Sequence, residues 1–148
     1  MRAVLTSSAF MVSLNPRKFL RIVQGSALYD LVVTAPFATP WTFSLAFEHL
    51  GAVNQALGGQ PLPAFAPLHQ LFALLMGSVV LVWAALRLRA PSVSLGRHDA
   101  AARWLFSLWM LWAWSAGGQP VLLLFLLPEA AWAVAQCWPV HADAPGRR

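Results

Sequence analysis

Four apolar segments constrain this chain more than any other feature. They run from about Phe19 to Ala38, Leu68 to Leu88, Ala100 to Ala116 and Val121 to Trp138. Each approaches the roughly 20 residues a helix needs to cross a hydrocarbon core about 30 Å thick. Inside lipid the backbone must satisfy its own hydrogen bonds, so these segments are expected to be helices. Of the 148 residues, 59% are hydrophobic and only 10% charged. A soluble domain carries about 25% charged residues. The expected fold is all-α: an integral membrane four-helix bundle.

The basic residues orient it. Arg2, Arg17, Lys18 and Arg21 precede or begin the first segment. Arg87, Arg89, Arg97 and Arg103 cluster around the connection between the second and third, and Arg147 and Arg148 follow the fourth. Residues 39 to 67 and 117 to 120 have none. Lysine and arginine accumulate on the cytoplasmic side, so four spans put both termini and the middle loop there. The net charge of +5 then serves topology and anionic lipid, with no need for nucleic acid. Abundant arginine, alanine, leucine, proline and tryptophan suggest a GC-rich bacterial genome. Together with the four segments, the expectation is a multi-pass protein of the bacterial inner membrane. The expected organisation is a tail over 1–16, one membrane domain over 17–138, and a tail over 139–148.

The connections carry clear punctuation. Gly117-Gly118-Gln119-Pro120 predicts a tight hairpin, glycine ending one helix and proline beginning the next. Thr39-Pro40 predicts an N-cap with proline at the first helical position. Phe43, Phe47, Leu50, Val53 and Leu57 recur at helical spacing, which predicts a short amphipathic helix over about 40–57 at the outer surface. Gly58-Gly59 ends it. No internal repeat is evident. The first residues, MRAVLTSSAFMVSL, read as a cytoplasmic tail or as a mis-assigned start with Met11 the initiator, rather than as a cleaved signal. The single cysteine, Cys137, permits no intrachain disulfide and is expected to pack inertly near the inner interface.

Two carboxylates fall inside the apolar segments. Asp30 lies nine residues beyond Arg21 and Glu129 nine beyond Pro120, each about 13 Å along a helix at about 1.5 Å per residue. Both therefore belong near the midplane. Ser26, Asp30 and Thr34 share one helical face, beside Tyr29, and Glu129, Trp132 and Gln136 share another. Pro128 is expected to kink the last helix beside Glu129. No basic residue is expected at that depth. Arg103 is expected to snorkel to the headgroups and Asp99 to sit at a helix start. At least one of the two carboxyls should then keep its proton. Intramembrane ionisable groups face the interior and mark functional sites by default. The open alternatives are a proton relay, a polar anchor for a lipid-soluble ligand such as a quinone, a cation site, or interhelical hydrogen bonds that only specify packing.

Other candidates are weaker. Glu48, His49 and His69 could meet at the outer face as a metal or pH-sensing site, but nothing in their spacing requires it. The run WLFSLWMLWAW (104–114) offers either a flat aromatic ligand surface or ordinary lipid-facing packing. No catalytic motif, haem pair or zinc motif is present, so an enzyme is the less favoured class.

NPRKFLRIVQGSALYD leading to a proline-rich outer segment, with a glutamate in the last span at LLPEAAW, resembles the DoxX-like small membrane proteins of bacteria. The resemblance spans the four-helix layout from about residue 17 to 138. It implies an accessory inner-membrane subunit, possible quinone or redox linkage, and a membrane-protein partner or homo-oligomer. A small proton-coupled carrier acting as an oligomer, and a structural assembly protein, are the other function classes.

Overall fold

The computed structural model describes residues 13–141; the expectations about the first residues, Met11 and the basic C-terminal pair lie outside them. The described chain is all-helical, with no named strand. The helices are α1 (Pro16–Thr34), α2 (Pro40–Ala56), α3 (Pro67–Arg89), α4 (Val93–Ser115) and α5 (Leu123–Cys137). Short 3-10 turns at Ala35–Phe37 and Pro120–Leu122 continue α1 and lead into α5.

Local chemistry sets the boundaries. Asn15 caps α1 by accepting from the Arg17 amide, and Thr39 caps α2 by accepting from the Thr42 amide. Pro16, Pro40 and Pro67 open their helices, where the missing N–H costs nothing. Ser92 caps α4 by accepting from the Leu95 amide at 3.1 Å. That cap corrects the expected start of the third segment: α4 begins seven residues earlier than Ala100, so Asp99 and Arg103 lie well inside it.

α2 and α4 end alike. Gly58 (φ +84°) and Gly117 (φ +92°) take the left-handed conformation. The Gly59 amide donates to the Asn54 carbonyl and the Gly118 amide to the Ala113 carbonyl, the long bond of a Schellman motif. Both turns read Gly-Gly-Gln-Pro, at 58–61 and 117–120. A short repeat therefore does exist, and it marks two equivalent helix ends.

The two turns also touch. Asn54, fully buried, donates to the Gln60 carbonyl (2.7 Å) and to Gln119 Oε1 (3.1 Å), and its Oδ1 accepts from the Val121 amide (3.1 Å). Gln119 Oε1 also accepts from the Gln60 amide at 2.8 Å. At the opposite end, Leu14 and Val140 form an isolated parallel bridge, and Arg97 donates to the carbonyls of Gln136 and Trp138. The start of α1, the start of α4 and the end of α5 thus gather at one end, and the Gly-Gly-Gln-Pro turns at the other.

Between these ends α1 packs mainly on α3, and α4 on α5, while α1 also touches both α4 and α5. Small residues permit the close approaches. A Cβ on Gly96 would meet Val23 and Phe19 side-chain atoms at 2.6 and 2.7 Å, and one on Gly77 would meet the Phe37 carbonyl oxygen at 2.7 Å. α3 and α4 follow one another in the chain yet hardly pack together.

Burial is inverted relative to a protein folded in water. Eight apolar residues are buried among the described residues, and so are eight polar or charged ones. Large apolar side chains stand outside: Val82 is 72% exposed, Leu127 66%, Trp112 64%. Two helical stretches, Pro67–Arg89 and Pro120–Cys137, are long and apolar enough to cross a membrane. α1 and α4 carry much of the chain's charge, which lowers their hydropathy. Cys137, expected to pack near the inner interface, is a free thiol and exposed.

Candidate functional site: a buried five-charge network on a cavity wall

Asp30 and Glu129 do come together, but through an arginine. Arg103 Nη2 donates to both carboxylate oxygens of Asp30 (2.8 and 2.7 Å), and Nη1 donates to Glu129 Oε2 (2.7 Å). The Arg103 Nε donates to Asp99 Oδ2 at 2.9 Å. One guanidinium therefore spends its planar fork on three acids from three helices, a geometry that lysine cannot reproduce. Arg87, at the end of α3, adds a second fork: Nη1 donates to Asp99 Oδ2 (2.6 Å) and Nη2 to Asp30 Oδ2.

Neutral donors fill most remaining positions. Gln136 Nε2 donates to Asp99 Oδ2 (2.8 Å) and to the Ser26 hydroxyl (2.7 Å). The Ser26 hydroxyl in turn accepts from Arg87 Nη1 and donates to the Val23 carbonyl. Trp83 Nε1 donates to Asp99 Oδ1 at 2.8 Å, while the Arg87 guanidinium lies 5.7 Å from the Trp83 ring centroid. Asp99 and Arg103 sit four apart on α4, one turn from each other on the face turned to α1 and α5.

These contacts correct three expectations. Two cations do reach the carboxylates. Arg103 is 2% exposed and does not snorkel outward. Asp99 acts as the acceptor hub of the network rather than as a charge at a helix start. Arg87 was legible only as a topology signal because its Cα sits two residues from the end of α3. Its long side chain carries the charge inward to Asp30. The signals that could have found the network are the Asp99–Arg103 spacing at i, i+4 and the Ser92 cap, which places both inside a helix.

The other candidates divide. Ser26 and Gln136 join the network. Thr34 lines the adjacent cavity, and its side chain makes no hydrogen bond among the described residues. Trp132 and Tyr29 lie beside the network, their ring centroids 6.4 Å apart, with Trp132 also close over Gly25. α5 runs through Pro128 without interruption. Glu48, His49 and His69 do not assemble: no group of three histidine, cysteine or acidic side chains able to hold a metal exists among the described residues. His49 Nδ1 lies 2.7 Å from the Leu45 carbonyl of its own helix.

The network forms one end of a cavity of about 600 Å³. Its walls are Val80 and Trp83 on α3, Phe106 and Trp109 on α4, and Phe125 on α5; Asp30, Asp99, Arg103 and Glu129 supply the polar end. The cavity lies where α3 and α4 diverge, and its rim is exposed apolar surface, with Val79 64% and Trp109 60% exposed. A ligand here would lay an apolar body against aromatic and aliphatic walls and bring a polar head to Glu129. Of the 104–114 tryptophans, Trp109 lines this space, while Trp104, Trp112 and Trp114 remain on the outer surface.

Comparison with protein-family models, with curated proteins and with solved structures finds no match to this chain.

Proposed function

We propose that this chain is a four-span inner-membrane protein that holds a lipid-soluble ligand with a polar head in the cavity between α3 and α4. One observation carries the reading: an apolar-walled cavity of about 600 Å³ opens sideways among exposed apolar side chains and ends on buried charges. Ligand cavities of this kind measure about 300–1,000 Å³ and combine apolar walls with a few convergent polar groups. In a bilayer the sideways opening faces the acyl chains, so the ligand enters from lipid.

The membrane reading draws on the inverted burial, since buried charges inside an apolar exterior suit lipid as solvent. The clustering of basic helix ends at one pole supports inner termini and an inner α3–α4 connection. α2 and the Gly-Gly-Gln-Pro turns lie at the other, outer pole. The chain acts as an accessory subunit, handing its ligand to a membrane-protein partner or to a second copy; a quinone is one candidate ligand. A structural reading has its own support, because the network bonds α1, α3, α4 and α5 to one another.

Native mass spectrometry of the gently solubilised protein tests the proposal. Ala102 on α4 lines the cavity, and a retained lipid-soluble molecule, lost when Ala102→Trp fills that space, is the expected result. A ligand-free protein whose partners are unaffected by Ala102→Trp would leave only the structural reading.

A further inference from the structure

The network has an odd charge. Three carboxylates, Asp30, Asp99 and Glu129, face two guanidiniums, Arg87 and Arg103. With all five ionised, the site carries one surplus negative charge in a largely water-excluded place, where an uncompensated charge is costly. The surplus falls on one residue. Asp30 accepts from both arginines, and Asp99 accepts from both arginines, Gln136 and Trp83. Glu129 accepts only from Arg103, through Oε2. Its Oε1 has no hydrogen-bond partner among the described residues, and Glu129 lines the cavity. The groups around it are Asp30 and Tyr29 on α1, Asp99 and Arg103 on α4, and Arg87 on α3 beyond them.

We infer that the cavity takes a lipophilic monocation, and that each cation bound displaces one proton from Glu129. This rests on the reading of the cavity as a ligand site and adds the charge of the ligand. In the empty site the Glu129 carboxyl keeps its proton, and the five-group network is neutral. When the cation arrives, the Glu129 O–H bond breaks and the proton leaves to water. The carboxylate then faces the positive head, so the site is neutral before and after. The aromatic walls fit the same ligand class: Phe106, Trp109 and Phe125 line the cavity, and an aromatic face attracts a desolvated cation. A neutral ligand would gain the apolar contacts alone. By reciprocal linkage, affinity for the cation rises with pH while Glu129 is protonated in the free protein.

The test uses the full chain in detergent with two probes of similar bulk, tetraphenylphosphonium and the neutral triphenylphosphine oxide. Calorimetric titration in two buffers of different ionisation enthalpy counts protons released. The expected result is release of about one proton per phosphonium bound, and none with the oxide. Phosphonium should bind at least about tenfold tighter than the oxide. Glu129→Gln should abolish the release and the preference, and Glu129→Asp should restore both in part. If both probes bind equally with no proton released, and Ala102→Trp blocks both, the charge inference fails and the cavity reading stands. If neither probe binds, or Ala102→Trp changes nothing, both fail. The proton count on the unaltered chain decides even where Glu129→Gln does not fold.

Discussion

The buried charges around Arg103 and the buried amide of Asn54 fasten this molecule at two levels by opposite means. Asn54 is neutral. It makes three bonds, two of them to backbone groups, and each closes a turn near it in space. Its energetics are those of ordinary buried hydrogen bonds, about 0.5–1.5 kcal/mol each. The Arg103 network instead joins side chains from four helices, and each charge is tolerable only while the others are present. The first device is local and nearly additive. The second is collective. The two differ in what they leave open: the amide has no spare group at the cavity, whereas one carboxylate oxygen of the charged network, Glu129 Oε1, has no hydrogen-bond partner among the described residues and belongs to a residue that lines the cavity.

The comparison can be broken most forcefully at Arg103. Arg103→Met leaves Asp30 with Arg87 alone and Glu129 with no partner, so it should cost about 3–5 kcal/mol in a denaturation series. The triple variant Arg103→Met, Asp30→Asn, Glu129→Gln should recover much of that loss, because it removes the charges along with their partner. A triple variant no more stable than the single one would show that the network is not collective. Next comes Gly96. Gly96→Ala drives a methyl into Val23 and Phe19, and overpacking of this kind costs about 1–3 kcal/mol, read as a fall in melting temperature. Asn54→Ala orphans the Val121 amide and the Gln60 carbonyl and should cost about 1–3 kcal/mol. Combined with Arg103→Met it should add almost independently, because the two sites share no partner. Strong coupling between them would erase the contrast between the two regions. The smallest effect is expected from Trp83→Phe, which removes one of several donors to Asp99, about 0.5–1.5 kcal/mol. It should, however, couple strongly to Arg87→Met in a double-mutant cycle, since both act on Asp99.

Much of the helical layout was legible in the sequence. Thr39-Pro40 marked the start of α2, and the paired glycines marked two helix ends, because those positions depend on local backbone chemistry alone. Asp30, Glu129, Ser26 and Gln136 could be singled out for the same reason that a polar residue stands out in an apolar run. Arg87 could not, and Asp99 and Arg103 were masked despite their i, i+4 spacing, because each lies near a segment edge where charge has an innocent reading. Their role depends on how far an arginine stem reaches and on which helices become neighbours. The cavity was equally illegible. It exists because α3 packs on α1 and α4 on α5 while α3 and α4 hardly touch, and Gly77 and Gly96 are where Phe37 and α1 come closest to them. Such contacts join residues that lie far apart in the chain, and no local pattern encodes them.

The order of synthesis gives the network one more consequence. Asp30 precedes Arg87 by 57 residues and Arg103 by 73. In a membrane, α1 is therefore delivered with a carboxylate that has no counter-ion until the middle and later helices emerge. Asp30 gains its ion-pair partners only once α3 and α4 have been made. A chain cut short before Arg87 would lack both partners of its first buried carboxylate, so the packing of α1 is completed only when α3 and α4 are in place.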